Sequence, residues 1–334
     1  MRTCRAQDPC PFLRGQDYIN LLNLAVLALY EKDVEFKDKY VNIHAGEQNE
    51  EWYLRINPNG MVPVLQIGDK YYSESEHIID VVDHTFSSGP TLVPDVETGL
   101  GAEVKRFREL LDSVPVDVIT FGLLANPQLR TTEMKMPAAF KKLTTPANIA
   151  KNFAASIEKY KKQLQTCPSD LKQNIEMKLQ RITERRDKVM NTLKVQATLD
   201  DLESVFNQLA DRLKKSAAEC SEGEDVWLCG ARFTAADITA AMLMFRLEMV
   251  GVLSRFASPS GRQEVLSYYT RLSARPTVKR TYALVEKSKS VYMMYAVKKY
   301  GKIALKIGLV VGLVGLGYLG VREYSRAYKG IKNA

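Results

Sequence analysis

The sequence predicts an α+β protein: a half of alternating strands and helices, an all-helical half with a long helical insert, and a transmembrane helix near the C-terminus. Three observations predict it. Between residues 34 and 86 short strand patterns alternate with helical ones. From about residue 89 onward the strong period is helical, and Pro127, Pro137, Pro146 and Pro168 punctuate an unusually long stretch between two helical segments. From Ile303 to Val321 the chain reads IALKIGLVVGLVGLGYLGV, with Lys306 its only charge. At 1.5 Å per residue such a helix reaches about 28 Å, close to the thickness of a bilayer's hydrocarbon core.

The elements follow in order. Tyr18 to Tyr30 is apolar and preceded by Arg2, Arg5 and Arg14, which superficially resembles a signal peptide. Asp8, Asp17, Asn20 and Asn23 interrupt that pattern and Glu31-Lys32-Asp33 ends it, so a buried amphipathic helix is expected instead. Val34 to Ile43 alternates as a strand, and a short helical segment surrounds Glu51 to Arg55. Val62 to Ile67 and Lys70 to Ser73 read as two strands joined by Gly68-Asp69, a two-residue turn with Gly first, as a type II′ hairpin requires. Pro63 inside a strand signal is reconciled by a cis peptide after Val62, leaving Val62's backbone groups available. Glu74-Ser75 then opens a helix with Ile78, Ile79, Val82 and Phe86 at helical spacing.

The helical half includes Glu109-Leu110-Leu111-Asp112-Ser113, an insert at 126–196, and Trp227-Leu228-Cys229-Gly230-Ala231-Arg232-Phe233-Thr234-Ala235-Ala236-Asp237-Ile238. In the insert Leu171, Ile175, Leu179, Ile182, Val189 and Leu193 form an apolar stripe among Lys and Arg. A basic arm of this kind, with Arg181, Arg185 and Arg186 on it, suits an acidic protein or anionic lipid headgroups. Near Trp227, Thr234 and Asp237 have capping-box spacing, and Phe233 and Ile238 can pack across the first turn. This is a folding device. Cys229 lacks a basic neighbour in sequence and reads as a small buried residue.

Charge is best divided by region. Residues 287–334 hold ten basic residues and one acid, so the net charge of +8 belongs largely to the flanks of the apolar segment, and nucleic-acid binding is excluded. Residues 141–196 hold thirteen basic and five acidic residues, a basic insert on an otherwise acidic body. The five cysteines (Cys4, Cys10, Cys167, Cys220, Cys229) and the isolated His44, His77 and His84 show no metal spacing and fit a reducing compartment. Domain limits are expected at 1–88, 89–286 and 287–334, the last a basic linker and tail anchor.

The strand Asn57-Pro58-Asn59-Gly60-Met61-Val62-Pro63-Val64-Leu65, the following Glu74-Ser75 pair and the Trp227 to Asp237 motif resemble the glutathione transferases. That resemblance implies a thioredoxin-like N-terminal domain and an all-α C-terminal domain. It also implies that Val62 and Pro63 would meet the cysteine of glutathione and Glu74 and Ser75 its γ-glutamyl carboxylate, should glutathione binding be retained. The family places an activating Tyr, Ser or Cys just after its first strand. Met1 to Asp17 shows no strand-like alternation, so that strand is expected to be degenerate or missing, and Cys10 in Cys10-Pro11-Phe12 is only a weak echo of a cysteine-type site.

With the insert and the apolar segment added, the chain resembles the ganglioside-induced differentiation-associated protein family. Asn49 to Asn57 and Arg108 to Pro115 agree as well. The family implies a cytosol-facing body on the mitochondrial outer membrane, possible peroxisomal residence, a role in organelle fission, and doubtful transferase activity. The alternative is a membrane-bound glutathione-dependent enzyme acting on hydrophobic electrophiles. Gly308 and Gly312 form a single GxxxG in the anchor, a weak signal for a homodimer.

Overall fold

The computed structural model describes residues 11–15, 22–41, 43, 46–136, 141 and 144–284. Cys10, the basic linker and the anchor with Ile303, Gly308, Gly312 and Val321 lie outside the described residues. Among the described residues no helix is long and apolar enough to cross a membrane. The chain divides into two units, Met1–Val285 and Glu286–Ala334, the second wholly outside the described residues.

The first strand exists. β1 (Phe12–Gly15) lies inside a four-stranded sheet of order β2-β1-β3-β4, with β2 at Lys37–Tyr40, β3 at Val64–Ile67 and β4 at Lys70–Ser73. It runs parallel to β2 and antiparallel to β3. The expectation of a missing strand is therefore overturned. Four residues between a proline and a polar stretch are too short to show alternation, and pairing on both sides supplies the order that local sequence lacks.

Helix α1 (Leu22–Glu31) is not amphipathic over its centre: Leu24 to Leu29 are all buried. It packs against α3 (Ser75–Thr85) and a later, largely apolar helix, which together cover its centre. Between them stands α2 (Glu51–Ile56). The hairpin turn follows its residue types, with Gly68 at φ +57°.

The helical half begins with α4 (Gly99–Asp112) and α5 (Val116–Ala125). The insert supplies α6 (Pro146–Thr166), whose first turn is capped by Thr145 (3.3 Å to the Asn148 N–H), and α7 (Lys172–Val189). Long α8 (Thr192–Glu219), central α9 (Ala235–Met249), short α10 (Leu253–Phe256) and α11 (Gln263–Ala274) follow, with further helix at 276–284. α9 is the apolar helix behind α1, and its buried Ala, Ile, Leu and Met side chains join both halves into one core.

The insert lies back on the body at two places. Near its root Ile149, Phe153 and Val189 pack with Leu124, Met134 and Met249 of the helical half. At its other end Leu171 and Ile175 cover Leu54 on α2 of the thioredoxin-like half. The stripe breaks sooner than expected, because α7 ends at Val189 and Leu193, in the first turn of α8, is 80% exposed.

Candidate functional site

Sheet register decides what meets what. Val64 pairs with Ser73 on one side and with Arg14 on the other. The residues before β3 (Val62-Pro63), those after β4 (Glu74-Ser75) and the end of β1 at Gly15 therefore gather at one end of the sheet. The other end carries Phe12 opposite Gln66 and the Gly68 turn.

The Val62–Pro63 peptide is cis, and among the described residues no backbone hydrogen bond engages Val62. Its loop is held from behind: the Met61 carbonyl accepts from Tyr53 Oη (2.7 Å) and Asn57 Nδ2 (2.9 Å). Glu74 has φ +67°, a conformation disfavoured for a residue with a side chain and, outside glycine, shared among the described residues only by Asp33. That backbone turn places Ser75, which is buried, at the first position of the eleven-residue α3. Backbone N–H groups at such a helix end, aided by the macrodipole, are suited to a carboxylate.

Glu76 would oppose an anion there, but its charge is committed elsewhere. Arg108 donates from Nε to Glu76 Oε2 (2.6 Å), from Nη2 to the Glu76 carbonyl (2.9 Å) and from Nη1 to Asp80 (2.7 Å), while Thr239 donates to Glu76 Oε1 (2.7 Å). Burial pushes the Glu76 carboxyl above the ordinary carboxylate range, and Arg108 and Thr239 pull against it. This network, which ties α3 to α4 and α9, was not foreseen. The i, i+4 spacing of Glu76 and Asp80 is its only trace in sequence.

The segment from Gly15 to α1 is Gln16-Asp17-Tyr18-Ile19-Asn20-Leu21, outside the described residues, and Tyr18 has its only hydroxyl. Cys10 precedes β1, whose beginning pairs at the far end of the sheet, so Cys10 is a residue before the strand rather than after it.

The Thr234 to Asp237 box is a structural centre. Asp237 is fully buried and accepts from Leu228 N–H (2.8 Å), Thr234 N–H (2.8 Å), Thr234 Oγ1 (3.0 Å) and Tyr268 Oη (2.7 Å). Phe233 meets Trp227 edge to face at 5.1 Å, and Ile238 is buried in the same core. Burial pushes the Cys229 thiol well up, so it is no nucleophile at neutral pH.

On the insert, Arg185 is tied to Asp117 of α5 at 2.6 Å and Arg186 to its neighbour Asp187 at 2.7 Å, while Arg181 is exposed. Among the described residues no group of acids, cysteines and histidines could hold a metal ion.

Residues 22–91 match the family model for the glutathione S-transferase N-terminal domain. The chain is 28% identical over 253 residues to human (Homo sapiens) ganglioside-induced differentiation-associated protein 1-like 1, an alignment covering 75% of this chain and 67% of that protein. The chain is thus similar to a ganglioside-induced differentiation-associated protein over three quarters of its length. At three quarters of the chain the match takes in the insert and reaches well beyond the transferase N-terminal domain. The chain is also 26% identical over 250 residues to tetrachloro-p-hydroquinone reductive dehalogenase of Sphingobium chlorophenolicum, covering 75% of this chain and 86% of that one. Among solved structures, the β-etherase LigF of Sphingobium superposes with a TM-score of 0.58 at 18% identity over 82% of this chain and 98% of that one. Glutathione transferase F7 of Populus trichocarpa gives 0.56 at 17% identity over 82% and 99%. The fold is that of a glutathione transferase.

Proposed function

We propose that this chain is a membrane-anchored scaffold of the mitochondrial outer membrane that promotes organelle fission through its cytosolic body, with peroxisomes a second residence. One observation carries the reading: the similarity to a ganglioside-induced differentiation-associated relative covers three quarters of the chain and takes in the insert. Two features support it. The segment 303–321, with Lys298, Lys299, Lys302 before it and Arg322, Arg326, Lys329 after it, has the length and flanks of a span for an organelle outer membrane. The insert's basic surface suits an acidic protein or anionic lipid.

The experiment fuses residues 287–334 to a fluorescent reporter, which is expected at mitochondria, and compares full-length chain with one ending at Glu286, expected in the cytosol. A truncated chain still found on mitochondria overturns the anchor. Exchanging the six flanking basic residues for Ser or Gln is expected to redirect the protein to the endoplasmic reticulum.

A second reading, a membrane-bound transferase acting on hydrophobic electrophiles, is favoured by the intact frame of cis Val62–Pro63, Glu74 at positive φ and buried Ser75. Those residues fit the γ-glutamyl end and the central cysteine of glutathione, which when bound supplies a thiol. Ser75 and the α3 N-terminus would hold its γ-glutamyl carboxylate, and Val62 its central backbone. Activation of the thiol falls to the Gln16–Leu21 stretch. Weak or undetectable glutathione binding, with no activation of the thiol, is the outcome the scaffold reading expects.

A further inference from the structure

The turn between α7 and α8, at the insert's root, was not among the residues picked out for contact, yet it has the most exposed large apolar side chain described. Leu193 is 80% exposed and Met190 40% exposed, on either side of the α7–α8 turn. The turn is held firmly. Asn126, itself buried, donates from Nδ2 to the carbonyls of Val189 (3.0 Å) and Gly122 (2.9 Å), and its Oδ1 accepts from Thr192 Oγ1 (2.6 Å). Asn191 caps α8 by accepting the Lys194 N–H at 3.1 Å. Val189 and Val195, fully buried, root the two helices immediately behind it. The apolar pair is thus displayed by a built turn.

Charge around the pair is mainly basic. Lys188 and Lys194 flank it and are exposed; of the acids nearby in sequence, Asp187 is paired with Arg186 (2.7 Å) and Asp200 with Arg255 (2.6 Å), Glu184 accepts from Gln180 (2.9 Å), and Asp201, two turns along α8, is exposed. Two side chains offer far less than the roughly 800 Å² per partner of a stable protein interface. They are enough for shallow insertion at the headgroup boundary, where each lysine adds attraction to anionic lipid.

We propose that the α7–α8 turn is a lipid wedge: Leu193 and Met190 enter the headgroup layer of an anionic bilayer while Lys188 and Lys194 lie at its phosphates. This rests on the reading that the chain works at a membrane, and it names the part of the arm that touches lipid.

The test uses full-length chain with Cys4, Cys10, Cys167 and Cys220 changed to Ser and an environment-sensitive fluorophore on Leu193→Cys, or on Glu224→Cys as an exposed control. It is mixed with phosphatidylcholine vesicles with or without about 30% phosphatidylserine. Expected is a blue shift with about a twofold rise in emission at 193, confined to anionic vesicles, reversed by about 0.5 M salt and absent at 224. Lys188→Ser with Lys194→Ser should abolish it while circular dichroism stays unchanged. No shift at 193, or an equal shift in neutral vesicles, overturns the wedge. Sedimentation of the same chain with vesicles separates the two claims. Co-sedimentation without a shift at 193 removes the wedge and keeps the anchor, and a shift at 193 in a chain ending at Glu286 supports the wedge whatever becomes of the anchor.

Discussion

Lys178 on α7 is 8% exposed and reaches the thioredoxin-like half, where its Nζ donates to Asn49 Oδ1 at 2.6 Å. Asn49 is also held by α6, accepting at its carbonyl from Gln163 Nε2 (2.8 Å). Gly60 makes room for the ammonium: with φ +55°, it has the Lys178 Nζ 1.9 Å from where a Cβ would stand. Burial first, and Arg181 second, push the Lys178 pKa down from 10.5 to about 8. Below pH 8 the lysine is charged in both folded and unfolded chains, and the fold bears the full cost of burying it. Between 8 and 10.5 the folded chain releases the proton while the unfolded chain keeps it, so stability rises with pH. At about 1.4 kcal/mol per pH unit the full gain is about 3 kcal/mol, of which about 2 kcal/mol is reached by pH 9.5. Guanidinium unfolding of full-length chain in nonionic detergent, at pH 7 and 9.5, is compared with Lys178→Met, which keeps the length and removes the charge. Tyrosine and cysteine titrations common to both chains cancel. The stability of the native chain relative to the variant should improve by about 2 kcal/mol over that interval. A difference that stays constant within about 0.5 kcal/mol refutes the argument that the insert is seated on a buried, unneutralised cation.

Asp237→Ala strands the Leu228 and Thr234 N–H groups and the Tyr268 hydroxyl in the core, and should cost on the order of 4 kcal/mol by denaturant unfolding, where a loss below about 1 kcal/mol contradicts the network's role. Arg108→Gln leaves Glu76 buried with Thr239 as its remaining side-chain partner and should lower stability by about 3 kcal/mol, with faster amide exchange along α3. Conjugation of glutathione to a general electrophile should run near the uncatalysed rate and be indifferent to Tyr18→Phe. An acceleration of about 10³, worth about 4 kcal/mol of transition-state stabilisation and lost in Tyr18→Phe, would reverse the preference for a scaffold over an enzyme. Gly60→Ala should cost about 1–2 kcal/mol, because it meets both positive φ and the Lys178 ammonium, and Lys178→Met should relieve part of that loss.

How much of this was legible in the chain depended on whether a signal was local. The β3–β4 hairpin, Glu74-Ser75 and the Thr234 to Asp237 box each declare themselves within a few residues, since turn, cap and hydrogen-bond partners lie close in sequence. β1 could not be read, because Phe12 to Gly15 takes its conformation from partners at residues 37–40 and 64–66. That one omission left the stretch after Gly15, where register places the site end of β1, unsearched for an activating residue. Lys178 was absorbed into a basic surface, although it stands three residues after Ile175 and four before Ile182, which is the spacing of the buried stripe. Leu193 was assigned to the same stripe, because the period carries on past Val189 while the helix does not. Both errors have one cause. Periodicity reports which residues share a face of a continuous helix, and it is silent on where the helix stops and on which neighbour arrives to cover a charge. On this insert those two facts decide that a lysine faces the protein and a leucine faces outward, and they turn a surface read as merely basic into an arm seated by one residue and displaying the other at its root.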